Sequence, residues 1–271
     1  MRTVSWRAAC ALLLVLFVPH AQALVLAVNE GVTYRVPFEE VRGRYAAIAA
    51  DLTKLLKQPV TVEPVGDYKL LRKGLADKTF DLAIVHPAHI SIQAMKSSGY
   101  RLVAVTRGFQ NYTAQFLVRT DSPLKSLGDL KGKKLGAPDE DSITSVMVRA
   151  TLRDAGLDTT QVSMVYTRYQ DAVPFFVENR LTPAGATAAN AVIKEWTGKG
   201  GKILAKSKPV PIKHIIASPT MSAVDLELVR EYLLALDTTD DGRKKLAPTH
   251  YAGFDRYDQA ALMTLGTWLG L

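Results

Sequence analysis

Three hydroxyls, Ser142, Thr144 and Ser145, cluster where a helical pattern begins. A helix start carries free backbone N–H groups and the positive end of the helix dipole. Hydroxyls there make a place for an anion such as phosphate or phosphonate. The same residues also read as ordinary caps, with Asp141 or Ser142 as the N-cap. His86 and His89 stand three apart at a strand-to-helix junction, and His214 lies in a later strand. Such rings donate to an oxyanion. Joined by Asp139 and Asp141, they would instead form an N/O metal site of the zinc or copper kind. His250, in a loop near Tyr251, reads as structural. Arg168 is the cation whose forked guanidinium suits bidentate contact with an oxyanion. Tyr34, Tyr112 and Tyr169 each fall at the end of a predicted strand, where ligand contacts collect in open α/β sheets. Hinge or surface packing is the alternative for each tyrosine.

Signatures of catalysis are missing from the chain. It has no G-x-S-x-G, no phosphate-binding P-loop, and no G-x-G-x-x-G with a following acid. The expectation is a non-enzyme without a cofactor. A hydrolase would have to be assembled from a pair such as Ser142 and His86.

The elements that must position these residues alternate. Apolar runs at 24–28 and 81–85, with Val/Thr-rich 59–65 and the run 100–106, read as strands. Between them, apolar spacing over 38–56, 68–75 and 88–95 is helical. This rhythm predicts an α/β sheet with helices on its faces. It restarts at 114–119. Strands follow at 134–137, 162–166, 184–188, 203–205 and 212–217. Helices follow at 142–155 (closed by Gly156), 170–177, 223–236 and 259–269. Two α/β runs predict two lobes of mixed, mostly parallel sheets. Extended segments near 112–119 and 208–217 would cross between them, leaving a cleft at the strand ends. The expected division places 24–112 plus 213–271 in lobe 1 and 113–212 in lobe 2.

The 271 residues are 48% hydrophobic with a formal charge of +8 and one cysteine. That is ordinary globular composition and excludes collagen-like and disulfide-framework classes. Arg2 and Arg7, the apolar run 8–18 and Ala21-Gln22-Ala23 form the three parts of a secretory signal peptide over 1–23. Its removal takes away Cys10, and with it disulfides, thiolate nucleophiles and Cys-ligated metals. The expectation is a soluble exported protein in the periplasm. The basic residues are scattered, and the one small cluster, Lys131-Gly132-Lys133-Lys134, sits in a turn. Nucleic acid is therefore not an expected partner.

The segment Tyr68 to Met95, YKLLRKGLADKTFDLAIVHPAHISIQAM, resembles the corresponding part of the phosphate, phosphite and phosphonate periplasmic binding proteins. The stretch Tyr112 to Gly136, with SLGDLKGKKLG, is similar to that family's hinge strand and S-L-x-D-L-K-G-K turn. Asp139 to Ser145, DEDSITS, takes the place of its S-T-S-G oxyanion loop. The resemblance implies the type II periplasmic binding protein fold and capture of a small oxyanion between lobes. It also implies an inner-membrane partner, either an ABC permease or a sensor kinase. Tyr34, His86, Tyr112, Ser142, Thr144, Ser145, Arg168, Tyr169 and His214 are the expected ligand contacts. Metal capture by His86, His89 and His214 is the alternative. The chain departs from the family pattern in four places: the acids Asp139, Glu140 and Asp141 precede the loop, Val146 replaces its glycine, His86 replaces the glycine of G-P, and Pro183 to Thr187 replaces an Asp-bearing strand end.

Overall fold

The computed structural model describes residues 23–31 and 36–271. The expected leader lies outside the described residues except for Ala23, and Tyr34 lies outside them too. No described helix is long and apolar enough to cross a membrane.

The chain forms two mixed sheets. The first part runs β1 (Leu24–Asn29), α1 (Phe38–Leu56), β2 (Val60–Pro64), α2 (Tyr68–Ala76), β3 (Leu82–Val85), α3 (Ala88–Ser98) and β4 (Arg101–Thr106). The second runs β5 (Gln115–Val118), β6 (Lys134–Ala137), α4 (Ile143–Asp154), β7 (Ser163–Tyr166), α5 (Val173–Glu178), β8 (Ala184–Thr187), α6 (Asn190–Gly198) and β9 (Lys202–Lys206). The chain then returns through β10 (His214–Ala217), α7 (Ala223–Ala235), α8 (Asp240–Leu246), β11 (Phe254–Asp255) and α9 (Gln259–Leu269). The first sheet has the order β11-β4-β10-β3-β1-β2, and the second β7-β6-β8-β5-β9. Strands joined through helices pair in parallel, as β1 does with β2 and β3. β10 arrives from the other sheet and inserts antiparallel between β3 and β4.

The two connections are extended but do not form long strands. Tyr112 and Val210 make a single antiparallel bridge. The N–H of Ser207 donates to the carbonyl of Ala114 at 2.8 Å, and that of Ile212 to Phe109 at 3.0 Å. Pro209 and Pro211 carry no N–H, so a continuous ladder is unavailable in the second connection.

Burial explains the layering. On one face of the first sheet, Leu26, Val28 and Ile215 pack on Val41, Tyr45, Ile48 and Leu52 of α1 and on Val229 and Leu233 of α7. The other core runs without a break from α2 and α3 past α9 into α4 and the second sheet. Each fully buried Leu or Ile stabilises by about 1.5–3 kcal/mol relative to exposure. The small residues of β8 have a direct cause. A Cβ on Gly185 would stand 2.7 Å from a methyl of Val173 and 2.9 Å from one of Val177, so α5 rests on bare backbone. Helix α9 touches both α3 and α4. Its Trp268 donates through Nε1 to Asp154 at 2.9 Å, and Arg153 donates to the Trp268 carbonyl at 2.8 Å.

Candidate functional site

The carboxyl ends of β1 and β3 and the amino end of antiparallel β10 share one edge of the first sheet. That is the edge at which open α/β sheets take ligands. Buried Asn29 shapes it: Nδ2 donates to the Val65 carbonyl at 2.5 Å, and Oδ1 accepts from the Gly31 N–H at 3.1 Å. Gly31 has φ +101°, a left-handed conformation that suits glycine. A Cβ there would come within 2.9 Å of the His86 ring. Beyond Gly31 lies a cavity of about 250 Å³, lined by Val28, Val36, Phe38, Val65 and Leu70 among others.

His86 follows β3. Its Nδ1 lies 3.2 Å from the Ile212 carbonyl, which can only accept, so Nδ1 carries the proton. Burial is the main influence on this ring and, with Lys213 close by, lowers its pKa to about 4. Lys213 precedes β10. Its ammonium stands 4.2 Å from the centroid of Phe109 and 4.8 Å from that of Tyr251, and it makes no ion pair among the described residues. Burial lowers its pKa. The nearest acid influence, Glu30, is bound by Arg44 at 2.7 Å and by the Tyr45 hydroxyl at 2.9 Å.

The second group of expected residues stands at the start of α4, which meets the first unit through Asp141, held by Arg72 and His89. Ser142 is the N-cap, its Oγ accepting from the Ser145 N–H at 3.2 Å. Among the described residues nothing accepts from the N–H of Ile143 or Thr144. Thr144 is fully buried, its Oγ1 2.9 Å from the Tyr112 hydroxyl. Gln170 Nε2 donates to that same hydroxyl at 2.9 Å, and Gln170 Oε1 accepts from Thr187 and from the Ala188 N–H. Ser145 Oγ donates to the Pro138 carbonyl at 3.0 Å. The Ser145 O–H is thus committed and the Ser142 O–H has no acceptor among the described residues, while Thr144 and Tyr112 share one hydrogen bond in which either donates.

Of the acids ahead of α4, Asp141 is engaged by the other unit. Arg72 on α2 grips Asp141 in two contacts, 2.6 and 2.7 Å. His89 Nε2 on α3 lies 3.2 Å from the same carboxylate. Partial burial opposes ionisation of Asp141, but hydrogen bonds from His89 and Arg72 outweigh it and hold the carboxyl well below the usual range. Asp139 accepts from the Asp141 N–H at 2.9 Å.

The remaining expected residues fall as follows. Arg168 is exposed, its guanidinium 5.2 Å from the Tyr169 ring centroid. His214 is completely buried: Nε2 lies 3.0 Å from the Pro211 carbonyl and Nδ1 2.5 Å from Ser91 Oγ. The metal alternative is corrected here. His86, His89 and His214 each have separate partners, and no group of three His, Cys, Asp or Glu among the described residues could hold a metal. A carbonyl takes one nitrogen of His86 and one of His214, and His89 already shares Asp141 with an arginine. Nor does a hydrogen bond join Ser142 to His86 among the described residues, the pairing a hydrolase would need.

Sequence reasoning missed Arg72, Gln170 and Lys213. Lys213 was within reach, being the one cation beside the histidine at the head of a predicted strand. Arg72 and Gln170 sit on helical stretches where nothing in the sequence says which way they face.

A family model described as ABC transporter, phosphonate, periplasmic substrate-binding protein matches residues 31–262. No curated protein matches. Among solved structures, XAC2383 from Xanthomonas citri bound to chloride superposes with a TM-score of 0.74 at 17% identity, covering 92% of this chain and 97% of that one. PhnD1 from Prochlorococcus marinus in complex with methylphosphonate gives 0.65 at 16% identity, with 92% and 97% covered. The aliphatic sulphonate binding protein SsuA from Escherichia coli gives 0.54 at 16%, with 90% and 78% covered. At such identities the structural likeness concerns the fold.

Proposed function

The chain belongs to the phosphonate periplasmic substrate-binding protein family of ABC transporters, and from that premise we propose that it captures a small oxyanion between its two sheets. Phosphate, phosphite and phosphonates form the class. The family implies a periplasmic location and a membrane permease as the receiver of the ligand, and it is a transport family, not an enzyme family. The division into lobes is taken at 112/113 and 212/213. Residues 24–112 and 213–271 surround the first sheet, and 113–212 the second.

The observation that carries this reading is the start of α4. Two backbone N–H groups without acceptors among the described residues lie beside an N-cap hydroxyl, at the head of a twelve-residue helix. The carboxylate of Asp141, the residue before the N-cap, is paired with Arg72. An anion there receives charge-assisted hydrogen bonds and the helix dipole. Ser142, His86, Tyr112 and Tyr169 are the side chains we assign to complete the contacts, and Lys213, a cation without an ion pair among the described residues, is added to them. Tyr34 is retained as a candidate contact.

Isothermal titration with phosphate, phosphite and methylphosphonate tests the reading. Micromolar or tighter binding of at least one is expected, with thermal stabilisation of about 2.7 kcal/mol at 100 times the dissociation constant. Absence of binding by all three refutes it.

A further inference from the structure

We propose that Gln170 is a positioning residue of the oxyanion site: together with Thr144 it donates into the oxygen of the Tyr112 hydroxyl, which leaves the tyrosine's own proton for the ligand. This deepens the proposed function and rests on it. The Gln170 amide has one orientation only. Its Oε1 lies 2.7 Å from the Ala188 nitrogen, and a backbone N–H can only donate, so the NH2 end is the one that faces Tyr112, at 2.9 Å. Thr187 Oγ1 donates to the same Oε1 at 3.1 Å, its own oxygen accepting from the Ala189 N–H at 3.2 Å. Tyr112 therefore accepts from Gln170. Its hydroxyl also lies 2.9 Å from Thr144 Oγ1. Tyr112 and Thr144 thus bring one hydroxyl hydrogen each to the single bond between them. Whichever donates there, the other's hydrogen has no acceptor among the described residues.

Burial decides which hydrogen is left over. Thr144 is fully buried, whereas Tyr112 keeps part of its surface exposed. An unmet hydroxyl costs about 1–3 kcal/mol where water cannot reach it. Thr144 therefore donates to Tyr112, and the phenol hydrogen is the one that stays free. Donation from two sides polarises the phenol and makes its remaining O–H a stronger donor. That O–H stands one hydrogen bond away from Thr144, whose backbone N–H is one of the two at the head of α4 without acceptors among the described residues. The groups gathered at this point then all donate: Ile143 and Thr144 through N–H, Ser142 and Tyr112 through O–H. An oxyanion has the lone pairs to meet them, and its charge strengthens each bond. Gln170 acts only through Tyr112, as the group that keeps the tyrosine's proton from being spent inside the protein.

Gln170→Glu reverses the direction at nearly unchanged shape. The carboxylate still accepts from Ala188 and Thr187, but it accepts from Tyr112 as well and so takes up the phenol proton. Its charge alone also opposes an anion, and Tyr112→Phe separates the two effects. The test titrates phosphate calorimetrically at about pH 7 into the unmodified protein, the two single variants and the double variant. Gln170→Glu is expected to weaken phosphate about 100-fold beside Tyr112, but only about tenfold in the Tyr112→Phe background, where no phenol proton remains to be diverted. Tyr112→Phe alone is expected to cost about tenfold. Thermal midpoints report the folding of each variant separately. Should the double variant fail to fold, the ultraviolet tyrosine difference spectrum at saturating phosphate decides: the signal that the unmodified protein gives and Tyr112→Phe lacks is expected to be lost in Gln170→Glu. Equal losses from Gln170→Glu in both backgrounds, undiminished binding by Tyr112→Phe, or a tyrosine signal retained in Gln170→Glu overturns the positioning role while leaving the oxyanion site standing. Failure of phosphate, phosphite and methylphosphonate to bind the unmodified protein removes the oxyanion reading and this inference together.

Discussion

The contact between Arg72 and Asp141 joins the two halves of the molecule, and replacing either partner should let them part. Arg72 belongs to α2 on the first sheet and Asp141 to the loop before α4 on the second. Their side chains are 35% and 45% exposed, so solvent screens the pair. Exposed ion pairs contribute about 0.2–1 kcal/mol, and bidentate geometry belongs at the top of that range. About 1 kcal/mol is a fivefold change in the closed-to-open ratio. Arg72→Met keeps the apolar stem and removes the fork, and Asp141→Asn keeps the shape and removes the charge. With Cys10 in the expected leader as the one native cysteine, Lys54→Cys and Lys194→Cys give labelling positions on exposed faces of α1 and α6. Single-molecule energy transfer between them should show an open population about fivefold larger in each variant without ligand. The double variant should open by less than the sum of the two single ones, because Arg72 and Asp141 share their ion pair, with His89 touching both. Added salt should act in the same direction on the unmodified protein and do little to the variants. Unchanged distributions in both variants, or effects that simply add, would refute the assignment. Acid should not reproduce the effect above about pH 4. With its folded-state pKa held down, Asp141 contributes fully above the unfolded value near 3.9, and loses that contribution only below it.

Two other expectations concern stability. Burial lowers the pKa of His86 and of His214 to about 4, whereas the unfolded chain protonates near 6.5. The folded state therefore holds its full advantage above about pH 6.5 and loses it as pH falls toward 4, by an amount on the order of 3 kcal/mol per histidine at most. Urea unfolding at intervals across that range should show the decline, and a flat profile contradicts it. Tyr112→Phe removes the hydroxyl shared by Thr144 and Gln170. It should destabilise the protein by about 1–3 kcal/mol in the same assay, since both partners are left short of a bond in a buried setting, and an unmoved midpoint speaks against the network.

The alternation of apolar runs made the sheets legible because a strand buried on both faces, such as Leu82–Val85, leaves an uninterrupted hydrophobic stretch. The closing helix was legible to the residue, since Asp258 caps it and Gly270 ends it in the left-handed region. Two helices went unread. In α6 only Ile193 and Trp196 are buried and no side chain caps the start; in α8 only Gly242 and Leu246 are buried. Neither has enough apolar residues to establish a period. At the site, hydroxyls at a helix start could be read from local sequence. Which of them stayed available could not, because Thr144 is claimed by a tyrosine 32 residues away and Ser145 by the Pro138 carbonyl. His214 shows the same limit. Its position in a strand near the crossing suggested the cleft, but strand alternation turned it toward Ser91 on α3.

The three acids before α4 pose the strongest objection in the sequence to an anion at that helix, and for Asp141, the one next to the N-cap, the fold answers it from the opposite unit. Asp141 is neutralised only while Arg72 reaches it, and Arg72 reaches it only while the two sheets stand close together. Parting them sets the carboxylate free two residues from Ile143, beside the N–H groups proposed to hold the ligand. An unscreened like charge at that distance opposes an incoming anion. Under the proposed function, closure and affinity would therefore be linked through charge as well as through shape. On the proposed reading, the arrangement seen here offers a helix start with Asp141 paired, and parting the sheets would restore that charge and favour release. A neutral residue at 141 would give up this difference. Asp141 is thus compatible with the proposed anion capture, its charge paired with Arg72 where the sheets stand close, while Asp139 and Glu140 remain at the exposed surface of the loop.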